Sequence, residues 1–372
     1  SLVGSEMCIR DSYWGVDYIV DPNEQDFDYN VNEIITNKAT YGEFTYHYTD
    51  EVDITLGIRN YNVEASAAMN SAFKLYDVFP VSDTDFNTDK GTLNKVNVSY
   101  RPSGKNQNYY FTSSEGYRRG GVNAVPTEGP LAEDAGWVPF ESDTVKNIEL
   151  GVKGALADGT YYNLSYFMVD WDNPQLNTST PVNGYYAVVN GDTAQINGFD
   201  VELSGSAGAI DWNVGYSNKN ARLSSDFYTP ADTPVLYARS GAKLPGSPDH
   251  TFNLNLAHTS YFGKTDDILS GMGMVNRLDL YAQSSTRNYI GDNSAYDAEF
   301  DGFNIINASS TIFNDDMYVS LFIKNLTNER GTTGAFLNEA FGPQPSQGFY
   351  GSNSREFYAL PRTIGFSISR GF

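Results

Sequence analysis

The chain has 372 residues, 46 of them acidic and 24 basic, so its formal net charge is −22. This charge excludes binding to nucleic acid through neutralisation of phosphates. No apolar run approaches the ~18 residues of a transmembrane helix, but membrane β-barrels escape this test because only every second residue of their strands meets lipid.

The first twelve residues differ in character from the rest. Residues 1–12 resemble a translated sequencing-adaptor tag, and they contain the single cysteine, Cys8. We predict that 1–12 is a non-native tag and that 13–372 is the native part of the chain. Without Cys8 the chain has no thiol, which excludes disulfides and thiolate metal sites.

From residue 13 onward, apolar and polar residues alternate in segment after segment. In chain order, these segments lie near 13–20, 44–48, 52–58, 96–100, 148–152, 199–203, 210–216, 252–256, 278–282, 319–323 and 364–372. Successive side chains of a strand point to opposite faces, so each segment has one oily and one polar face. Because helical periodicity is essentially absent, we predict an all-β protein.

Short and long connections alternate along the chain. Short turns rich in Gly, Asp and Asn are predicted near 50–51, 102–105, 157–159, 207–209 and 314–316, with a longer one near 263–273. The predicted long loops are 21–38, 64–90, 120–142, 172–192, 222–247, 289–301 and 329–356. Short turns on one rim and long loops on the other are typical of an outer-membrane antiparallel β-barrel, here with about fourteen strands. The alternative is a soluble sandwich in which the oily faces form a core.

Six motifs carry a resemblance to a known family. They are Asn147–Lys153, Asp170–Leu176, Asn190–Glu202, Leu244–His250, Phe322–Asn328 and Tyr358–Phe366 with the terminal Phe372. In this order they resemble the C-terminal part of the β-barrel of a TonB-dependent outer-membrane receptor. Residues 13–144 fit this family by their alternation rather than by motifs. The resemblance implies a partial transmembrane barrel, about fourteen of ~22 strands, with the N-terminal plug and the TonB box outside this chain.

The resemblance also implies the function and the partners. It implies active transport of a scarce nutrient, a ferric siderophore or a similar chelate, energised by TonB through the missing N-terminal region. It implies no enzymatic activity, a place in the outer membrane of a Gram-negative bacterium among its lipids, and recognition of the strand ending at Phe372 by the barrel-assembly machinery. A passive porin or channel and a soluble β-rich carbohydrate-binding protein remain as alternatives.

Candidate ligand-binding residues lie where strands meet long loops. Arg118 and Arg119, beside Tyr117, could contact an anionic ligand because guanidinium groups fork onto carboxylates. Trp171, Tyr185 and Tyr186 could stack on a sugar or a catechol. Alternatively, the arginines offset nearby acids, and the aromatic residues belong to a girdle or pack the loops. No catalytic residues are predicted.

One acidic segment has the spacing of a calcium loop. Asp83, Asp85, Asn87 and Asp89 would supply oxygen ligands if the segment curled, because Ca²⁺ takes six to eight oxygens. Thr88 and Asn94 stand where such a loop has Gly and Glu, so a solvated acidic loop is the alternative. No other cofactor is predicted.

Overall fold

The computed structural model describes residues 27–73, 78–128, 132–180, 186–230, 234–263, 271–290, 298–336 and 355–370. The strands in chain order are β1 Phe27–His47, β2 Val52–Phe73, β3 Val78–Tyr100, β4 Gln107–Arg118, β5 Gly121–Val122, β6 Pro139–Phe140, β7 Asp143–Ala155, β8 Tyr161–Asp172, β9 Gln175–Ser179, β10 Tyr186–Asn190, β11 Thr193–Ala207, β12 Ile210–Leu223, β13 Phe227–Tyr228, β14 Leu236–Ala238, β15 His250–Tyr261, β16 Gly273–Gln283, β17 Thr286–Arg287, β18 Glu299–Phe300, β19 Phe303–Phe313, β20 Met317–Lys324, β21 Thr332–Phe336, β22 Arg355–Tyr358 and β23 Thr363–Arg370. Within these residues, a 3-10 turn covers Ala135–Trp137. Across these ranges, no helix is long and apolar enough to cross a membrane.

Thirteen of the strands form one antiparallel sheet. Its order is β1-β2-β3-β4-β7-β8-β11-β12-β15-β16-β19-β20-β23, so each strand pairs with the next long strand in the chain. The other ten form five hairpins within the longer connections. This confirms the predicted all-β antiparallel architecture. The predicted strand near 13–20, the predicted tag 1–12 and the terminal Phe372 lie outside the described residues.

The two faces of the sheet differ as the alternation predicts. Large apolar side chains on one face are open to the surroundings, such as Phe44 (64% exposed), Leu150 (62%) and Phe366 (76%). The opposite face carries polar cross-strand pairs, such as Lys95 with Glu43 at 2.8 Å. No second sheet stacks on the oily face within the described ranges. The sandwich alternative is therefore wrong, because its core would require two sheets with their oily faces in contact.

Two of the predicted long loops are strands instead. The segment 21–38 is β1 from Phe27 onward, and the segment 64–90 is part of β2 and β3 except at 74–77. The 22 residues of β2 span about 73 Å, whereas a tilted membrane strand needs only ~9–11 residues. The outer parts of these strands, residues 27–40, 60–73 and 78–92, are called the projecting sheet below.

The hydrophobic alternation of β2 changes phase where the projecting sheet begins. Ile54, Leu56 and Ile58 lie on the oily face, but the buried residues farther along are odd-numbered: Tyr61, Val63, Ala65, Ala67 and Met69. The register is continuous with β1 from Asp53 to Phe73 and with β3 from Val52 to Ser71, and it shifts only after Ser71, so no bulge lies where the phase changes. The buried face of the projecting sheet is therefore the continuation of the polar inner face. Ala67 packs there with Val122 and Val138 of the β4–β7 connection.

Four long connections share one hydrophobic core. The contributors are Val125 and Trp137 after β4, Leu176, Ala187, Val189 and Ala194 after β8, Ala221, Leu223, Phe227, Ala238 and Leu244 around the β12–β15 connection, and Ile290 after β16. This cluster, called the loop core, lies at the end of the sheet opposite the short turns. Connections from β4 to β19 therefore pack into one body rather than extending separately.

Candidate functional site

The candidate arginines lie where the projecting sheet meets the loop core. Arg118 ends β4 and Arg119 begins the connection to β7. The sequence places both at a strand end because the alternation of β4 stops at Arg118, after which Gly120 and Gly121 bring the backbone close to Phe140. Neither glycine could carry a side chain without a clash, since an added Cβ would lie 2.6 Å from atoms of Phe140 in each case.

A buried carboxylate fixes Arg118. The side chain of Asp143 is 2% exposed, and it accepts hydrogen bonds from Nε of Arg118 at 2.9 Å and from the backbone N–H of Gln175 at 3.1 Å. Arg118 also donates to the carbonyl of Gln175 at 3.1 Å and lies 5.2 Å from the ring centroid of Trp171. The guanidinium group is thus held between a carboxylate and an indole, while half of the side chain stays open to solvent.

Arg119 and Tyr117 connect the loop to the projecting sheet. Nη1 of Arg119 lies 3.1 Å from Oε1 of Glu33, and both side chains are about 40% exposed. The ring of Tyr117 stacks on Tyr61 with centroids 3.7 Å apart, and its hydroxyl accepts a hydrogen bond from Asn37 at 3.2 Å. The structure thus brings Tyr117, Arg118, Arg119 and Trp171 together. It also shows the predicted alternative, since each arginine faces an acid.

Two aromatic candidates remain, Tyr185 and Tyr186. Tyr185 lies outside the described residues, and Tyr186 begins β10, which pairs with β9. Their role in ligand binding stays a prediction.

The candidate calcium ligands lie in an extended strand rather than in a loop. Asp83, Asp85, Asn87 and Asp89 belong to β3 and pair with alternate residues of β2. Alternate residues of a strand are about 6.6 Å apart along it, whereas the predicted site requires a backbone that curls. Asn87 instead donates to the carbonyl of Phe140 at 2.8 Å. No group of three or more His, Cys, Asp or Glu in the described ranges could hold a metal ion, and calcium binding stays a prediction.

Sequence reasoning missed the residues that hold the site together. Gln175 donates from Nε2 to the carbonyls of Arg119 and Glu141 at 2.7 and 3.0 Å. Asn123 bridges the carbonyls of Trp137 and Val188 and accepts a hydrogen bond from the N–H of Val188. These partners are up to 65 residues apart, so no local pattern marks them.

The comparisons with known proteins agree with the fold. The model of the family "TonB dependent receptor-like, beta-barrel" matches residues 8–326. Over 129 residues, 35% of this chain and 18% of the relative, the chain is 28% identical to the pesticin receptor of Yersinia enterocolitica, and equally to that of Yersinia pestis.

Solved structures share the fold. The ferric yersiniabactin uptake receptor FyuA from Yersinia pestis has a TM-score of 0.72 and 20% identity over 94% of this chain and 48% of that one. The ferric-catecholate import receptor Fiu from E. coli K12 has a TM-score of 0.65 and 18% identity over 92% of this chain and 45% of that one. The chain therefore spans about half the length of these structures and less than a fifth of the curated relatives. The family match covers most of the sequence, and the chain belongs to the TonB-dependent receptor β-barrel family, whose members are outer-membrane receptors rather than enzymes.

Proposed function

We propose that this chain forms barrel wall and outer loops of a TonB-energised receptor that imports a ferric siderophore or a similar nutrient chelate. The observation that supports this most directly is the group of arginines and aromatic rings on the loop core, in a chain of this family. The two structural neighbours above are receptors for ferric yersiniabactin and for ferric catecholate.

The proposed orientation follows from the two ends of the sheet. The short turns would face the periplasm, and the loop core with the projecting sheet would face the outside, as in other outer-membrane barrels. TonB would act through an N-terminal region outside this chain, and the barrel-assembly machinery would recognise the C-terminal strand. The oily face would contact lipid.

The physical basis for ligand capture is the exchange of one ion pair for another. An exposed pair such as Arg119 with Glu33 contributes only about 0–1 kcal/mol. An anionic chelate could therefore displace Glu33 from Arg119 with little loss of free energy. Arg118 would keep its geometry, because the buried Asp143 holds one edge of its guanidinium group, and would present its exposed edge to the ligand.

Fluorescence of the four tryptophans gives a direct test, because Trp171 lies beneath Arg118. We expect titration of the detergent-solubilised chain with a ferric catecholate, a ferric hydroxamate and ferric citrate to give saturable quenching with at least one of them. Replacing Arg119 by Ala should lower the affinity for that chelate about tenfold, because the substitution removes one charge-assisted contact. Lys38→Ala, on the other face of the projecting sheet, is the matched control.

Two outcomes would contradict the proposal. Equal quenching of wild type and Arg119→Ala would remove this site from ligand binding. Absence of saturable binding to any chelate, together with ion conductance of the chain in planar bilayers, would favour the passive channel.

A further inference from the structure

The outer face of the projecting sheet is the continuation of the oily face of the same strands. The register of β1, β2 and β3 is unbroken from one to the other, so even-numbered residues occupy this face throughout. The last apolar residue of β2 on the oily part is Ile58, and Asn60 and Asn62 follow. A plug inside the barrel would lie against the opposite face and would leave this one uncovered. The even-numbered residues of 30–40, 60–68 and 86–92 are called the outer strip.

Charges are segregated between the two faces of these strands. Lys38 and Lys90 are exposed on the outer strip, and neither has an ion pair within the part of the chain that the structure describes. Glu33 and Asp89, from the same two strands, are odd-numbered and lie on the opposite face. Glu64 is the one acid of the outer strip. In a chain with a net charge of −22, a strip with more cations than acids indicates an anionic neighbour.

The two lysines flank Asn62 in one row across the sheet. Lys38 on β1 and Lys90 on β3 are each directly opposite Asn62 on β2. Neighbouring strands are about 4.8 Å apart, so the Cα atoms of the two lysines are about 9.6 Å apart. Their flexible side chains can therefore reach one group above Asn62. The amide of Asn62 donates one hydrogen to Glu64 at 3.3 Å and has a second to donate, so the row can surround a phosphate with three donors.

The row lies at the level of lipid phosphates. Asn62 is four residues beyond Ile58, about 13 Å along the strand. For a strand tilted by ~45°, this is about 9 Å along the membrane normal. The polar layer on each side of the hydrocarbon core is roughly 5–8 Å thick. Because long lysine side chains bend toward the interface, the ammonium groups of Lys38 and Lys90 lie beside headgroups rather than beside acyl chains.

Beyond the lysine row, the outer strip is suited to sugars. Ile34 and Phe86 flank Ser66 in a second row, four residues farther along β2, and both are exposed, by 59% and 74%. Thr36 and Thr88 stand between the two rows. The apolar C–H face of a sugar ring can pack on Phe86, while threonine hydroxyls donate to and accept from its hydroxyls. A phospholipid headgroup would end below this second row, whereas a glycolipid would extend along it.

We propose that the outer strip binds a phosphorylated glycolipid of the surrounding leaflet, with a phosphate between Lys38 and Lys90 and the saccharide against Phe86. The acyl chains lie on the oily face below Asn62, so the order of chemistry along β2 matches the order along the lipid. The inference rests on the proposed function for its orientation, in which the loop end faces outside. Binding would anchor the projecting sheet to the membrane surface.

Native mass spectrometry of the detergent-solubilised chain with bisphosphorylated lipid A tests the phosphate contact. We expect Lys38→Ala to lower the affinity about fivefold and Lys38→Ala/Lys90→Ala about thirtyfold, because each substitution removes one attraction between a lysine and the phosphate. Lys38→Arg/Lys90→Arg should retain binding. Lys105→Ala/Lys153→Ala removes two exposed cations at the other end of the sheet, and this matched control should bind as wild type does.

Two further ligands and one further variant identify what is bound. Inorganic phosphate should not displace lipid A at equal concentration, and phosphatidylcholine should bind wild type and the Lys38/Lys90 variant equally. Lipid A that carries its inner core sugars should bind Phe86→Ala severalfold more weakly than wild type, while lipid A alone should bind both equally.

Several results would overturn the proposal. Equal affinity of wild type and Lys38→Ala/Lys90→Ala for lipid A would remove the phosphate site, and an equal loss in Lys105→Ala/Lys153→Ala would reduce the effect to net charge. Displacement by inorganic phosphate would show a site for the free anion instead. An unchanged affinity of Phe86→Ala for the core-bearing lipid would remove the saccharide contact. Chelate quenching is measured without lipid A, so the proposed function and this inference can fail separately.

Discussion

At the scale of single residues, buried polar groups determine the geometry of the loop end. The carboxylate of Asp143 is nearly inaccessible, and it accepts hydrogen bonds from the backbone and side chain of Arg118 and from the backbone of Gln175. One side chain thus joins the end of β4 to the start of β7 and to the connection after β8. Removing its charge would affect three segments together.

We expect Asp143→Asn to destabilise the loop end by about 1–3 kcal/mol, because an amide cannot accept all of these hydrogen bonds and leaves buried donors unsatisfied. Near-UV circular dichroism of Trp171 during thermal unfolding in detergent would report the change. Asp192→Asn, an exposed acid in the β10–β11 link, is the control. If both variants have the same melting temperature, this role of Asp143 is contradicted.

A second carboxylate makes part of the stability depend on pH. Burial disfavours ionisation of Asp249, but hydrogen bonds from Arg222 and Lys243 outweigh burial and hold the pKa of Asp249 below its ordinary value. The contacts measure 3.1 Å to Arg222 and 3.0 Å to Lys243. Because the folded-state pKa is lowered, the stabilisation is present above the unfolded pKa of about 3.9. It is lost as the pH falls through the folded pKa.

We therefore expect the melting temperature of wild type to exceed that of Asp249→Asn by a constant margin between pH 7 and pH 5. The margin should shrink as the pH falls below about 4, where the carboxyl takes up a proton in the unfolded state first, and should vanish below the folded-state pKa, where it is protonated in both states. The effect is small, because the Asp249 side chain is one third exposed and solvent screens such pairs. An undiminished margin at pH 3 would show that the ion pairs are not its cause.

At the scale of elements, β2 is one continuous strand that lies in two different environments. Its first part presents even-numbered residues to the oily face, and its outer part buries odd-numbered residues against the β4–β7 connection. Two adjacent alanines separate these faces: Ala67 is 5% exposed, whereas Ala68 is exposed. The same substitution can therefore be made at Ala67 and at Ala68 to compare the two faces of the strand.

We expect Ala67→Asp to release the β4–β7 connection from the projecting sheet, because a charge placed against Val122 and Val138 is desolvated and lies opposite Glu33. Docking of the connection onto the projecting sheet should become less favourable by at least about 2 kcal/mol. Hydrogen exchange of the Asn123 amide, which donates to the Val138 carbonyl at 2.6 Å, would accelerate, and it should stay slow in Ala68→Asp. Equal protection in both variants would disprove the packing.

At the scale of the whole molecule, thirteen consecutive antiparallel strands share one oily face. Each long strand pairs with its successor, so the apolar residues form continuous bands across the sheet, such as Val214, Leu254 and Leu280. Such a band open to the surroundings is unfavourable in water, and it is stable where lipid chains cover it. The family membership of the chain agrees with this environment.

We expect Leu254→Arg to reduce folding into lipid vesicles by about 2–4 kcal/mol, the penalty for a cation on the lipid face near the bilayer centre. Asn255→Arg, one residue later and on the inner face, should fold almost as well as wild type. Urea titration of vesicle-bound protein gives the two free energies. Equal penalties, or folding of wild type as a monomer in plain buffer, would contradict the lipid contact.

The sequence by itself determined the fold class, the antiparallel strands outside 21–38 and 64–90, and the side of those strands that is oily. These follow from period-two alternation and from turn residues, which are local properties of the backbone. The motif Phe322–Asn328 also has a local cause. Asn325 adopts a positive φ of 51°, and its amide donates to the carbonyl of Glu329, four residues later, so few other residues fit there.

Only the tertiary structure decided what covers each face at the loop end. The phase change in β2 is visible in the sequence at Ile58 and Tyr61, but it does not reveal that the β4–β7 connection covers the odd-numbered residues. The partners of the candidate arginines were equally hidden, since Glu33 is 86 residues from Arg119 and Asp143 is 25 residues from Arg118. Alternation specifies which side of a strand is apolar. What lies against that side depends on contacts between distant segments, which packing alone determines.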